Sequence, residues 1–202
     1  MKKKARKVER KAQLMRRTKE TDIKLLIVNL DGQGIYSIKT NEPFLNHMLE
    51  QLSRHSGIDI ALDALGDVEI DSHHLVEDVG IALGRAINQA LGDKKGIKRF
   101  GSAGVLDEAL VRVVVDFSGR TYCDVNLDLE TKRIGSFDTE LVEEFFNGFA
   151  RGAVLTLHVD KLKGKNTHHT IEAAFKGLAI ALRDAIAVIG KRLPSTKEVI
   201  EK

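Results

Sequence analysis

The sequence predicts an α+β fold built from two similar halves, each a four-stranded sheet with two helices on one face. Three observations carry that expectation. The order strand–strand–helix–strand–helix occurs twice. Each final helix opens with a His-His-x-x-Glu string, at His73-His74 with Glu77 and again at His168-His169 with Glu172. The two strings lie 95 residues apart, and self-similarity of this kind points to internal duplication.

The elements follow in order. TDIKLLIVNLDGQGIYSI, from Thr21, reads as two strands around a turn containing Asp31-Gly32. Apolar residues fill both parities of the first strand (Ile23, Leu25, Ile27; Leu26, Val28, Leu30), as in a strand covered on both faces. Pro43 stands where a helix can start, and Phe44, Leu45, Met48 and Leu52 form its apolar stripe. GIDIALDAL alternates, with Ile58, Ile60 and Leu62 on one face and Asp59 and Asp63 on the other. DVEID reads as a further short strand, and a helix is expected over 73–91 with Val76, Leu83 and Ile87 in the core, ended by Gly92.

A basic, Gly-rich connection, GDKKGIKRFGSAG, leads to the second half. There EALVRVVVDFSGRTYCDV reads as strand, turn at Ser118-Gly119, strand; LVEEFFNGFARG as helix; AVLTLHVDKL as strand; and 168–189 as the last helix. The expected organisation is a basic N-terminal extension over 1–20, a first half over 21–100 and a second over 101–202, forming one compact domain.

With 202 residues, 43% hydrophobic and 30% charged, the composition excludes a disordered or collagen-like chain. No apolar run reaches transmembrane length, and no signal-peptide arrangement is present. Cys123 is the lone cysteine, so neither an intrachain disulfide nor a thiolate metal cluster is available. A soluble cytoplasmic protein is the simplest expectation. The net charge of +3 is uneven: residues 1–20 hold ten Lys/Arg and two Glu, and the remainder is mildly acidic. No aromatic residue interleaves with the charges of that tail, which weighs against a nucleic-acid arm and for a solvated extension.

Five of the seven histidines fall at three places: His47, the pair 73–74 and the pair 168–169. On a helix, His73 and Glu77 share a face, as do His168 and Glu172, and an imidazole with a carboxylate one turn away makes a bidentate clamp for a metal ion. The neighbouring histidine points about 100° away around the helix, so each tandem pair suggests contacts to two different groups. Imidazole with carboxylate and no thiolate suits Mn, Fe, Co or Zn. His55 and His158 lack such partners and read as ordinary surface or hydrogen-bonded histidines. Arg99, Arg120, Lys176, Ser195 and Lys197 are the residue types that bind a phosphate monoester, and Lys176 continues the His168–Glu172 stripe by one turn. From the residues alone, the reading is a metal site near an anionic substrate.

The strings RTKET, FLNHMLEQ, GDVEIDSHHLVED, ALGDKKGIKRFG, DEAL, DFSGR, LTLH, GKNTHHTIEAAFK and PSTK resemble those of the imidazoleglycerol-phosphate dehydratases, from about Arg17 to Ile200. The resemblance implies loss of water from imidazole glycerol phosphate to give imidazole acetol phosphate, in L-histidine biosynthesis. It implies two Mn²⁺ per active site and a twenty-four-subunit homo-oligomer with sites between subunits. It also implies metal ligation by His47, His73, His74, Glu77, His168, His169 and Glu172. Another family ligand position is the His of an EHFF string; Glu144 holds that place here, and its carboxylate can still ligate Mn²⁺. Glu20, Gln51, Arg99, Arg120, Lys176, Ser195 and Lys197 match substrate-contacting positions. The chain departs from the family pattern at Asn46 (usually Asp), Val105-Leu106 (Pro-Met) and Thr121 (Pro).

The expected chemistry is removal of a carbon-bound proton by a carboxylate while the departing hydroxyl is protonated, with the imidazole ring held by metal. Glu20 or Glu172 is the expected acid–base carboxylate, with Glu77 mainly a ligand. The rival readings are a dinuclear phosphate-ester hydrolase, which would release inorganic phosphate, and a metal-dependent assembly module without turnover.

Overall fold

In the computed structural model, which describes residues 9–200, two four-stranded sheets flank a layer of four helices. The first half contains β1 (Lys11–Arg17), β2 (Thr21–Asn29), β3 (Tyr36–Lys39), α1 (Pro43–Ser56), β4 (Asp59–Gly66) and α2 (His73–Leu91). The second contains β5 (Phe100–Leu106), β6 (Ala109–Asp116), β7 (Tyr122–Asn126), a short hairpin of β8 (Arg133–Ile134) and β9 (Phe137–Asp138), α3 (Leu141–Ala153), β10 (Thr156–Lys163) and α4 (Thr167–Ala185). The sheet orders are β1-β2-β4-β3 and β5-β6-β10-β7. In each, the first three strands of the order run antiparallel and the last pair is parallel. The duplication is therefore one of topology as well as of motif.

Several sequence expectations are corrected. The first concerns the basic extension. Residues 11–17 form an edge strand antiparallel to β2, with Lys11 opposite Asn29 and Arg17 opposite Asp22. Ala12 and Leu14 pack toward the core while Lys11, Gln13, Met15 and Arg17 face outward. A charged edge strand carries its charge on the solvated face and resists pairing with another chain. The body thus begins before Thr21, and only part of the basic tail, residues 1–8, lies outside the described residues.

The second correction concerns DVEID. Asp67–Asp71 form turns, not a strand, and β1 supplies the fourth strand of the sheet. The third concerns both-parity burial in β2. The register shifts between Ile23 and Leu25, so the buried set passes from Ile23 to Leu26 and Val28 and a single face is covered. A bulge changes parity without a second buried face.

The connection expected over GDKKGIKRFGSAG, residues 92–104, gives way at Phe100 to a strand, β5. Its glycines mark close approach, not a loop. A Cβ at Gly101 would lie 2.0 Å from the Ala181 carbonyl oxygen of α4, so the strand lies directly under the helix. The helix α4 itself stops at Ala185, and the chain beyond it pairs Val188 with Ile97.

The helices of the two halves pack on one another, α1 on α4 and α2 on α3. Their buried faces and the inner faces of both sheets form one continuous core, including Leu45, Met48, Val76, Leu83, Phe145, Phe149 and Phe175. α2 and α3 touch through glycines: Gly80 meets the Phe145 carbonyl, Gly148 the Glu77 carbonyl, and Gly152 the Ile81 carbonyl. The contacts advance together along both helices, so α2 and α3 run parallel with their N-terminal ends side by side.

Candidate metal centre and substrate site

The tandem histidines sit on the first turns of α2 and α4, and His47 one turn into α1, because the sequence starts helices there. Glu42 caps α1, accepting from the Phe44 N–H at 3.2 Å, and Pro43 takes the position where a missing N–H costs nothing. Asn166 caps α4, accepting from the His169 N–H at 3.2 Å. Glu42, 2% exposed, does more than cap. The Ser72 hydroxyl, just before His73, donates to it at 2.9 Å, and the Ser136 hydroxyl of the β8–β9 hairpin donates at 3.1 Å. One carboxylate thereby ties together the starts of α1 and α2 and the hairpin.

Among the described residues, one group has the spacing of a metal site: His47, His168 and Glu172, with one ligand atom of each lying within 4.8 Å of the others. His47 Nε2 is 3.6 Å and His168 Nε2 is 3.3 Å from Glu172 Oε2. The Phe44 ring stands edge-on to His168 at 5.4 Å and closes one side of the group. The donor set, two imidazole nitrogens and a carboxylate oxygen at an open surface, fits a divalent cation with positions left for substrate. Lys176 Nζ lies 2.7 Å from Glu172 Oε1. Burial raises the Glu172 carboxyl, but the Lys176 hydrogen bond and charge, with His47 and His168, outweigh it and hold the carboxyl below its ordinary value.

The other tandem pair lies at the start of α2. His74 Nδ1 is 3.1 Å from both oxygens of Asp67, and its Nε2 is 3.9 Å from Glu20. The Asp67 hydrogen bond raises the His74 pKa. The His73 main-chain N–H donates to Asp71 at 2.7 Å. Glu77 is held by Arg151 of α3 at 2.5 Å. Glu144, half-buried, is one turn before Gly148, which abuts the Glu77 carbonyl, so the parallel packing sets Glu144 at the same end of the helix pair as Glu77. No close ligand cluster joins these three among the described residues. His169 Nδ1 is 2.8 Å from Glu108, whose hydrogen bond raises the histidine pKa.

The cationic residues divide into two places. Lys176 joins the His47–His168–Glu172 group, and Gln51, one turn beyond His47 on α1, bonds to His55 at 3.2 Å. Arg99 instead forks onto Asp116 at 2.6 and 3.0 Å and donates to the Pro194 carbonyl at 2.8 Å, which fixes the segment carrying Ser195 and Lys197. The Arg120 side chain is exposed, with its main-chain N–H on Ser118 at 3.1 Å. No hydrogen bond or ion pair among the described residues links the Arg99–Ser195 group to either histidine pair. Burial pushes the Cys123 thiol up to about 12, which disfavours the reactive thiolate at this half-buried position.

Sequence reasoning missed Asp67, Glu108 and Asp78. Asp67 lay in a stretch read as strand. Glu108 had a usable signal, since DEAL stands at the same hairpin of the second half as KET in the first. Asp78 follows Glu77 but turns inward, to Arg16 and Thr21.

Comparison with known proteins fits this geometry. A family model described as imidazoleglycerol-phosphate dehydratase matches residues 40–182. The chain belongs to the imidazoleglycerol-phosphate dehydratase family. A dehydratase of that name from Cereibacter sphaeroides is 52% identical over 195 residues, covering 95% of this chain and 100% of the relative. One from Teredinibacter turnerae is 52% identical over 193 residues, covering 94% and 98%. The crystal structure of the Pyrococcus furiosus enzyme superposes with a TM-score of 0.81 at 40% identity, covering 93% of this chain and 100% of that one. The Staphylococcus aureus dehydratase gives 0.77 at 41%, covering 88% and 99%. No helix among the described residues is long and apolar enough to cross a membrane.

Proposed function

We propose that the chain removes water from imidazole glycerol phosphate to give imidazole acetol phosphate, as a cytoplasmic enzyme of histidine biosynthesis using two Mn²⁺ per active site. The observation that carries this reading is the His47–His168–Glu172 group, with Lys176 at its edge. Family membership supplies the substrate class, a phosphorylated small molecule.

His47, His168 and Glu172 would hold one ion, and His73, Glu77 and Glu144, on the topologically equivalent helices α2 and α3, the other; His74 and His169 would complete the sets. Bound there, the metal supplies Lewis acidity toward the substrate's imidazole ring. The remaining chemistry belongs to side chains. The hydroxyl leaves from the ring-bearing carbon, the proton is taken from the next carbon, and the resulting enol becomes the ketone. Glu20 is the favoured acid–base group: it is exposed, has no Lys or Arg ion pair, and stands 3.9 Å from His74 Nε2, so it can give a proton to the departing hydroxyl and, as the carboxylate, take the carbon-bound one. Glu172 is already engaged by Lys176, which favours a holding role for it. Arg99, Arg120, Ser195 and Lys197 would take the phosphate.

A twenty-four-subunit shell with sites completed by neighbouring subunits, as the family resemblance implies, is the proposed assembly. Met15, Ile70 and Ile189, each 71% exposed, are apolar residues such contacts would cover.

The test is turnover of imidazole glycerol phosphate by metal-stripped protein, with and without Mn²⁺. Ketone formed only with metal, without phosphate release, is the expected result. Phosphate release would make the chain a hydrolase, and metal-dependent assembly without turnover would make it a structural module.

A further inference from the structure

The duplicated halves each place a glutamate at the same topological point. Glu20 is the last residue before β2, and Glu108 the last before β6. Each faces the second histidine of its tandem pair, Glu20 toward His74 and Glu108 toward His169. The two contacts are not equivalent. Glu108 sits on Nδ1 at 2.8 Å, whereas Glu20 stands off Nε2 at 3.9 Å. In the first half the Nδ1 position is taken by Asp67, at 3.1 Å, from the turn that follows β4.

We infer that Asp67 and Glu108 are positioning residues: each accepts the Nδ1 proton of its histidine and so leaves the Nε2 lone pair as the metal-binding atom. A neutral imidazole has one donor and one acceptor nitrogen, and which is which is set by the partner of the other. A carboxylate on Nδ1 fixes the tautomer, orients the ring and makes Nε2 a better ligand. The same solution is reached from two different elements, a post-β4 turn in one half and the β5–β6 turn in the other. The difference has a functional consequence. Because Asp67 buttresses His74, the hairpin glutamate of the first half is released from that duty, and Glu20 is free for proton transfer. Glu108 has been committed to His169 and is not. The duplication therefore yields one acid–base glutamate, not two.

This inference rests on the proposed metal role of His74 and His169. The closing experiment measures Mn²⁺ affinity and stoichiometry by the electron paramagnetic resonance of free Mn²⁺, on the full chain. The variants are Asp67→Ala, Asp67→Asn, Glu108→Ala and Glu108→Gln, with His74→Ala and His169→Ala as controls. Each alanine variant is expected to bind Mn²⁺ roughly 10- to 100-fold more weakly at one site. The Asn and Gln variants, whose amide oxygen still accepts from Nδ1–H, should recover most of the affinity, which a merely structural role would not require. Thermal unfolding of the same samples confirms that the fold is retained, and if an alanine variant unfolds, the amide variant against wild type decides. Wild-type affinity in the alanine variants, with both histidine controls weakened, overturns the positioning role alone. Undiminished binding in the histidine controls overturns the ligand reading and this inference with it.

Discussion

Asp78 reaches from the first turns of α2 to Arg16 on the inward side of β1, and the same carboxylate accepts from the Thr21 hydroxyl. The Asp78 side chain is only 9% exposed. Thr18 completes the network, its hydroxyl accepting from the main-chain N–H groups of Glu20 and Thr21 at 3.2 and 2.9 Å. The turn presenting Glu20 is thus anchored to the helix presenting His74 and Glu77. Asp78→Ala should destabilise the chain by about 3 kcal/mol, because it leaves a half-buried guanidinium without its counter-charge. Chemical denaturation measures this, and an unchanged midpoint would show that the network carries no load.

Glu20→Gln should lower kcat by roughly 10²- to 10⁴-fold with Mn²⁺ content unchanged. Glu172→Ala should lose metal first. Parallel metal analysis and single-turnover assays separate the two. Metal loss in the Glu20 variant, with metal kept in the Glu172 variant, would reverse the assignments.

Asp59 closes the β2–β3 connection from the outer face of the sheet. Burial raises its carboxyl, but the N–H groups of Ile35 and Gln33 and the Asn29 amide, at 2.8 to 3.1 Å, outweigh this and hold it below its ordinary value of 3.8. A depressed folded-state pKa gives stability that is present above the unfolded value and is lost as pH falls through the folded one. Asp59→Asn should therefore cost about 1–2 kcal/mol near neutral pH. The gap to wild type should shrink below pH 3.8. Denaturation midpoints at pH 7 and at acid pH provide the check.

Gly148→Ala should weaken both packing and metal uptake. Its Cβ would lie 2.7 Å from the Glu77 carbonyl oxygen, so α3 must move away from α2 at the level of Glu77. Overpacking of this kind costs about 1–3 kcal/mol. One Mn²⁺ equivalent should bind more weakly while the His47–His168–Glu172 site is spared. Titration of the variant distinguishes the two sites.

Arg99→Ala should raise KM for the phosphorylated substrate more than it lowers kcat. It should also increase proteolysis of the segment after Gly190, which loses the Arg99 bond to Pro194. Unchanged KM and unchanged cleavage would remove Arg99 from both roles.

Local chemistry determined much of this protein before any fold was known. Helix starts at Pro43 and His73, the inward alternation of Ile58, Ile60 and Leu62, and the repeated His-His-x-x-Glu string depend on neighbours a few residues away, where periodicity and capping operate. The placing of Glu172 beside His168, one turn away, was legible for the same reason. Tertiary structure decided the rest. A strand made of KAQLMRR is recognisable only once β2 offers it an edge, and Phe100–Leu106 reads as a loop until α4 lies on its glycines. The pairing of His47 with Glu172, 125 positions apart in the chain, exists because α1 packs on α4. Which glutamate buttresses a histidine and which is left free, Glu108 or Glu20, follows from a turn elsewhere in the chain supplying Asp67. Contacts set by packing across distant segments leave no periodic trace in either segment alone.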